Sequence, residues 1–184
     1  MLEEADATYD LTVISRDQKN EAWYRALHPL GRSPVVVDDD GPLFESAAIC
    51  LQLADTNPKA GLIAPVGSHD RALQYQWCLF AMCEVESNAI EIARQLWSDS
   101  GGDGTLIARG RERLAPAIRL LDDVLGSRQY LVADQFSVAD LVLGAVLLFV
   151  RMNDITPLTS ALDAYCDLLD ARPARQRALA VAAP

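Results

Sequence analysis

Residues 28–53, HPLGRSPVVVDDDGPLFESAAICLQL, read as loop, strand, tight turn, short strand and helix, in that order. Pro34-Val35-Val36-Val37 is a β-branched run following a Gly and a Pro, and Asp40-Gly41 is a hairpin turn signal before a second short strand, Leu43-Phe44. Two antiparallel strands are therefore predicted. Glu45-Ser46 then stands where strand gives way to the apolar segment Ala47 to Ala54, with Ser46 placed to cap its first turn.

Such a junction carries chemistry because free backbone N–H groups and the positive end of a helix dipole meet there beside an uncommitted acid. Ser46 can hold a carboxylate and Glu45 an ammonium, so the pair suits an amino-acid head group bearing both charges. The same two residues also fit an ordinary capped helix, since Ser is a preferred N-cap.

The stretch resembles the second half of the glutathione-binding domain of bacterial, cytosolic-type glutathione S-transferases. Their pattern is an Asn-Pro-x-Gly-x-Val-Pro loop and strand, a turn, then Glu-Ser-x-Ala-Ile; here stand His28-Pro29-Leu30-Gly31-Arg32-Ser33-Pro34 and Glu45-Ser46-Ala47-Ala48-Ile49. The resemblance implies a cis bond before Pro34 and glutathione bound by Arg32, Ser33, Pro34, Glu45 and Ser46. Ser33 would offer its backbone to the cysteinyl part, and Glu45-Ser46 would hold the γ-glutamyl end. His28 for Asn and Ser33 for Val depart from the pattern, but a backbone contact does not need a particular side chain.

Composition narrows the alternatives. A chain of 184 residues, 51% hydrophobic and 23% charged, can bury a core without staples. Its net charge of −10 argues against nucleic acid and anionic membranes as partners. Cys50, Cys78, Cys83 and Cys166 have neither metal-ligand nor redox spacing and read as buried, inert thiols. Asp38-Asp39-Asp40 beside Gly41 reads as a solvated turn, and no metal is implied. An acidic start, Met1-Leu2-Glu3-Glu4, and the lack of a long apolar run fit a reducing cytoplasm.

Met1 to Ala5 reads as the tail of a helix and Tyr9 to Ile14 as a strand, with Tyr9, Leu11 and Val13 on one face. Measured against the family, the chain begins late: the first strand, its turn and most of the first helix, which carry the catalytic Tyr, Ser or Cys, have no counterpart. A start codon assigned too far downstream is the preferred explanation, ahead of a deliberately shortened chain or a natural member with a rearranged sheet. The catalytic residue is accordingly unknown, and neither Tyr9 nor Ser15 matches its position. Asp17 to Leu27 is helix-compatible, with Trp23 and Leu27 as a packing pair.

From Gly67 the periodicity is helical. Ser68 can cap a long helix with Leu73, Trp77, Phe80, Ala81, Val85, Asn88, Ile92 and Leu96 as its stripe. Ser98 to Gly104 is a loop. A helix follows to Leu125, with Leu114, Ile118, Leu121 and Leu125 buried; Pro116 either kinks it or divides it in two. Ser137 and Asp140 form a capping box, flanked by Phe136 and Leu141 as a staple, before a helix apolar on all faces. Thr156-Pro157 opens another helix, with Leu158, Leu162, Tyr165 and Leu169 buried, and Arg172-Pro173-Ala174 starts the last.

The fold implied is α+β: a truncated thioredoxin-like N-terminal domain over residues 1–58, a linker over 59–66, and an all-α C-terminal domain over 67–184. The function implied is glutathione binding, with conjugation of its thiol to a small-molecule electrophile by a homodimer if the front segment is present in the native protein. The alternative is a non-catalytic relative kept for ligand holding or protein contacts.

Overall fold

In the computed structural model, which describes residues 1–99 and 101–182, the β-branched run becomes strand β1 (Val35–Asp38). It pairs antiparallel with β2 (Gly41–Phe44), Val35 opposite Phe44 and Asp38 opposite Gly41. The turn is Asp39-Asp40, one residue earlier than predicted. The Asp38 carboxylate accepts from the Asp40 amide at 3.0 Å, closing the turn from its first position. Gly41, at φ 118, is thereby free to begin the second strand.

Tyr9 to Ile14 does not form the predicted strand. The segment is irregular, with Val13 79% exposed, and the β1–β2 ribbon is the whole sheet among the described residues. Alternation alone cannot make a strand that has no neighbour to pair with, so these backbone groups turn to water. Met1 to Ala5 forms hydrogen-bonded turns, with the Ala5 amide 3.0 Å from the Met1 carbonyl. Arg172 clamps Glu4 through two bonds of 2.7 and 2.9 Å, and Arg177 holds Glu3. Between Asp17 and Leu27 a 3₁₀ turn, Gln18–Asn20, leads into α1 (Ala22–Leu27). Its buried residue is Tyr24, whereas Trp23 is 47% exposed; the predicted Trp23–Leu27 pair is not the inward face.

Helix α2 (Ser46–Thr56) leaves the ribbon, and a 3₁₀ turn, Pro58–Ala60, starts the connection onward. Ser68 caps α3 (His69–Phe80), accepting from the Arg71 amide at 3.2 Å. A π-helical turn, Ala81–Glu86, then runs directly into α4 (Ser87–Leu96). The wider turn shifts the buried face, so Ala89, Ile92 and Ala93 point inward while Leu96, predicted on the stripe, is 40% exposed.

Asp103 caps α5 (Gly104–Leu125), accepting from the Thr105 and Leu106 amides. The helix is continuous through Pro116, and all four predicted stripe residues are buried. Helix α6 (Val138–Met152) is the core of the helical part, and its capping box forms. Asp140 accepts from the Ser137 amide and hydroxyl, the Leu131 amide and the Tyr165 hydroxyl. Burial nevertheless pushes its carboxyl above the usual range, against the pull of those four donors.

Helix α7 (Ser160–Asp170) starts later than the predicted Thr156-Pro157. Thr159 is the cap, accepting from the Leu162 amide at 3.3 Å and donating to Asp122 of α5. Arg111 meanwhile holds the Ile155 carbonyl at 2.7 Å, which keeps the preceding segment a loop. Helix α8 (Pro173–Ala182) follows. Among the described residues no helix is long and apolar enough to cross a membrane.

Candidate functional site

The hairpin register builds the site. Because Val35 faces Phe44, the residues just beyond this last pair, Ser33-Pro34 on one side and Glu45-Ser46 on the other, emerge at the same end of the ribbon. Two motifs separated by about a dozen residues are thus brought together by short-range pairing alone.

On the first side the Ser33–Pro34 bond is cis. Among the described residues, the Ser33 N–H and C=O take part in no backbone hydrogen bond, and the residue is exposed. The loop leading to it is braced from within. His28 is buried, packs on Phe44 with ring centroids 4.7 Å apart, and its Nδ1 accepts from the Leu30 amide at 3.2 Å. The imidazole therefore closes this turn through its own ring nitrogen. Gly31 sits at φ 59, where a Cβ would run into the Lys19 carbonyl. Arg25 reaches the Pro29 carbonyl at 2.9 Å, and the Tyr24 hydroxyl donates to the Arg32 carbonyl at 2.7 Å. The Arg32 guanidinium is exposed and belongs to no ion pair among the described residues.

On the second side the expected capping differs. Glu45, at φ 73 and ψ 111, occupies the cap position, and its side chain makes no capping bond. Ser46 is already the first helical residue. The chain reverses at Glu45 and enters the helix at once, so Ser46 has no room to stand outside it as a cap. The first helical bond is that of the Ile49 amide to the Glu45 carbonyl, at 2.9 Å. The amides of Ser46, Ala47 and Ala48 thus lack backbone partners among the described residues, the arrangement that suits an anion. A non-glycine residue held at positive φ is a strained conformation of the kind found at ligand clamps. Among the described residues, Glu45 is exposed and in no ion pair, and no side chain or backbone group is hydrogen-bonded to the Ser46 hydroxyl.

Two residues near this end escaped the sequence reading. Tyr24 could have been singled out as the aromatic four residues before His28. Glu86, from the π turn, belongs to a helical run, Tyr75 to Ala81 through Glu84-Val85-Glu86, that resembles one common in bacterial members of the family, but nothing in that run marked it as a neighbour of Glu45. Burial first, and then the charge of Glu45, raise the Glu86 carboxyl above the ordinary value. Glu86 therefore lies within reach of the Glu45 charge.

The cysteines lie apart from this chemistry. Burial pushes the thiol of Cys78 up to about 12 and that of Cys166 to about 11, and it raises Cys50 as well. Cys83 corrects the expectation for all four, since it is exposed on the outer side of the π turn. Tyr9 and Ser15 are engaged locally, Tyr9 with Glu3 at 2.7 Å and Ser15 with the Gln18 amide at 3.2 Å. Ser137 and Asp140 form a separate, buried cluster.

Comparison with known proteins agrees with this architecture. Residues 1–56 match the family model described as glutathione S-transferase, N-terminal domain, and residues 104–174 the corresponding C-terminal domain. The chain is 30% identical to a probable glutathione S-transferase of Oryza sativa subsp. japonica, over 100% of this chain and 90% of that protein. It is 29% identical to glutathione S-transferase 1 of Schizosaccharomyces pombe over 76% of this chain, but spans only 64% of that relative. The solved structure of a sphingomonad glutathione S-transferase complexed with glutathione superposes with a TM-score of 0.83 at 25% identity, covering 98% of this chain and 90% of the other.

Proposed function

Since this chain belongs to the glutathione S-transferase family, we propose that the end of its β-ribbon binds glutathione and presents the thiol to a small electrophile. The observation that carries this reading is the meeting, at one end of the ribbon, of a Ser33 backbone and a Glu45-Ser46 corner that lack partners among the described residues. Glutathione offers groups for each. The Ser46 hydroxyl and the free amides of α2 suit the γ-glutamyl carboxylate, and Glu45 suits its ammonium. The Ser33 N–H and C=O suit the peptide units around the cysteinyl residue, with Pro34 orienting them, and the Arg32 guanidinium suits the terminal carboxylate.

Conjugation requires the thiol, ordinarily near 8.5, to ionise more readily. The residue that aids this is left unassigned. The division into a ligand-binding part over 1–58, a linker over 59–66 and a helical part over 67–184 belongs to the same proposal; the two separately matching family models support it. So does assembly as a homodimer, supported by Tyr75 and Leu79, which are exposed on α3. Sedimentation equilibrium tests it, a monomer at all concentrations counting against it.

Calorimetric titration with glutathione tests the site. Glu45→Ala and Ser46→Ala should each weaken binding by about 1–3 kcal/mol, the range for hydrogen bonds to charged groups. Unchanged affinity in both would remove the assignment. A conjugation assay with an aromatic halide then tests the reaction: turnover supports a transferase, and binding without turnover a holding role.

A further inference from the structure

We infer that Tyr24 is a positioning residue for this site, its hydroxyl setting where the Ser33 backbone stands and hence how the cysteinyl part of glutathione is gripped. The inference rests on the glutathione reading above and assigns the device that makes it work.

The Tyr24 ring is 3% exposed, and Trp23 meets it edge-on at 5.5 Å, so the phenol has little freedom to swing. Its one proton goes to the Arg32 carbonyl at 2.7 Å. The contact of 3.2 Å with Ser33 Oγ must then run the other way, Ser33 donating to the phenol oxygen. One buried oxygen thus ties two consecutive residues, and it turns the Ser33 hydroxyl inward, away from the ribbon end.

The ties matter because little else holds this piece of chain. Pairing with β2 begins only at Val35, and the last bond on the other side is that of the Gly31 amide to the His28 carbonyl. Among the described residues, the Tyr24 hydroxyl makes the only hydrogen bonds that reach Arg32 or Ser33. Gly31 is packed against the Lys19 carbonyl, but the bracing stops there and does not reach Arg32 or Ser33. Without the phenol oxygen, Ser33 would sample several positions, and the ligand would have to select one.

Tyr24→Phe tests this, since the ring and its packing remain. Binding of glutathione by calorimetry should weaken about threefold to tenfold, the range for one or two neutral hydrogen bonds. Binding of free L-glutamate, followed by NMR titration and probing the Glu45-Ser46 corner alone, should keep its wild-type midpoint. A general loosening of the fold would weaken both ligands alike and would overturn the assignment, as would unchanged glutathione affinity. Backbone nitrogen relaxation by NMR supplies a reading that needs no ligand. The backbone order parameters of Arg32 and Ser33 should fall in Tyr24→Phe while those of Ile49 and Cys50 stay as in wild type, and an unchanged value at Ser33 would sink the proposal. Wild-type protein that binds no glutathione would defeat the functional reading instead, and the order parameter at Ser33 would still decide whether the phenol holds the loop. Ser33→Ala removes only the weaker tie and should fall between wild type and Tyr24→Phe in both measurements.

Discussion

Glu45 shows how a single residue can be set against its own backbone. At φ 73 and ψ 111 it stands where a Cβ is unwelcome, a strain of about 1–3 kcal/mol. Glycine there would relieve the strain and lose roughly 0.5–1 kcal/mol to the greater freedom of the unfolded chain. Glu45→Gly should therefore leave the protein as stable or up to about 2 kcal/mol more so in urea unfolding, while its glutathione affinity falls. The neighbouring acid makes a second case. Burial and Glu45 raise the Glu86 carboxyl in the folded state, so its contribution to stability is present below the ordinary carboxylate value and is lost as pH rises through the raised one. Glu86→Gln should raise the melting temperature at neutral pH and have little effect at pH about 4. Glu45, Ser46 and Pro34 were legible as letters because their order along the chain carries the pattern. The positive φ at Glu45 was not, since a glutamate gives no sign of the corner it must turn.

Local codes governed most elements. The capping box at Ser137 and Asp140, the Ser68 cap and the stripe of α5 depend on residues within about one turn or at a helical repeat, and each formed as predicted. Pro116 was ambiguous, and the helix runs through it because its inward neighbours Leu114, Ala117 and Ile118 are anchored in the core while Pro116 is exposed. Pro116→Ala should stabilise the protein, by up to about 3 kcal/mol, because it restores a backbone bond and removes no packing. Close packing sets the opposite limit on α6. A methyl group at Gly144 would meet the Leu169 side chain of α7, so Gly144→Ala should cost about 1–3 kcal/mol, readable as a lower urea midpoint at unchanged slope. The start of α7 was misplaced because Thr156-Pro157 and Thr159 are both plausible caps. What separates them is Asp122, which is 37 residues away in the chain and bonded to Thr159.

At the scale of the molecule, the ribbon with α2 and the helical part are joined by a few specific contacts. Arg71 of α3 is buried and donates to the Tyr75 hydroxyl at 2.6 Å, to the Ala64 carbonyl at 3.1 Å and to Asp55 at the end of α2. Gln74 holds the Ala64 amide at 2.8 Å, and the Val138 amide meets the Leu62 carbonyl at 2.8 Å. Arg71→Met keeps most of the packing but strands those acceptors. It should destabilise the protein by about 1–3 kcal/mol, less than a fully buried pair because Asp55 is partly exposed. A melt that becomes broader or splits into two steps would show that this latch couples the two parts.

By itself the sequence determined what depends on near neighbours: the hairpin, the placing of Glu45-Ser46 where strand gives way to helix, the capped helices and most of their inward faces. Only the tertiary structure decided whether Tyr9 to Ile14 would be a strand, which way α4 would face after the π turn, and that the Tyr24 hydroxyl would reach the loop before Pro34. The physical reason is the same in each case. A turn or a cap is completed by atoms a few bonds away, whereas a strand needs a partner, a helix face needs a core to meet, and a buried hydroxyl needs an acceptor that another part of the chain must bring to it.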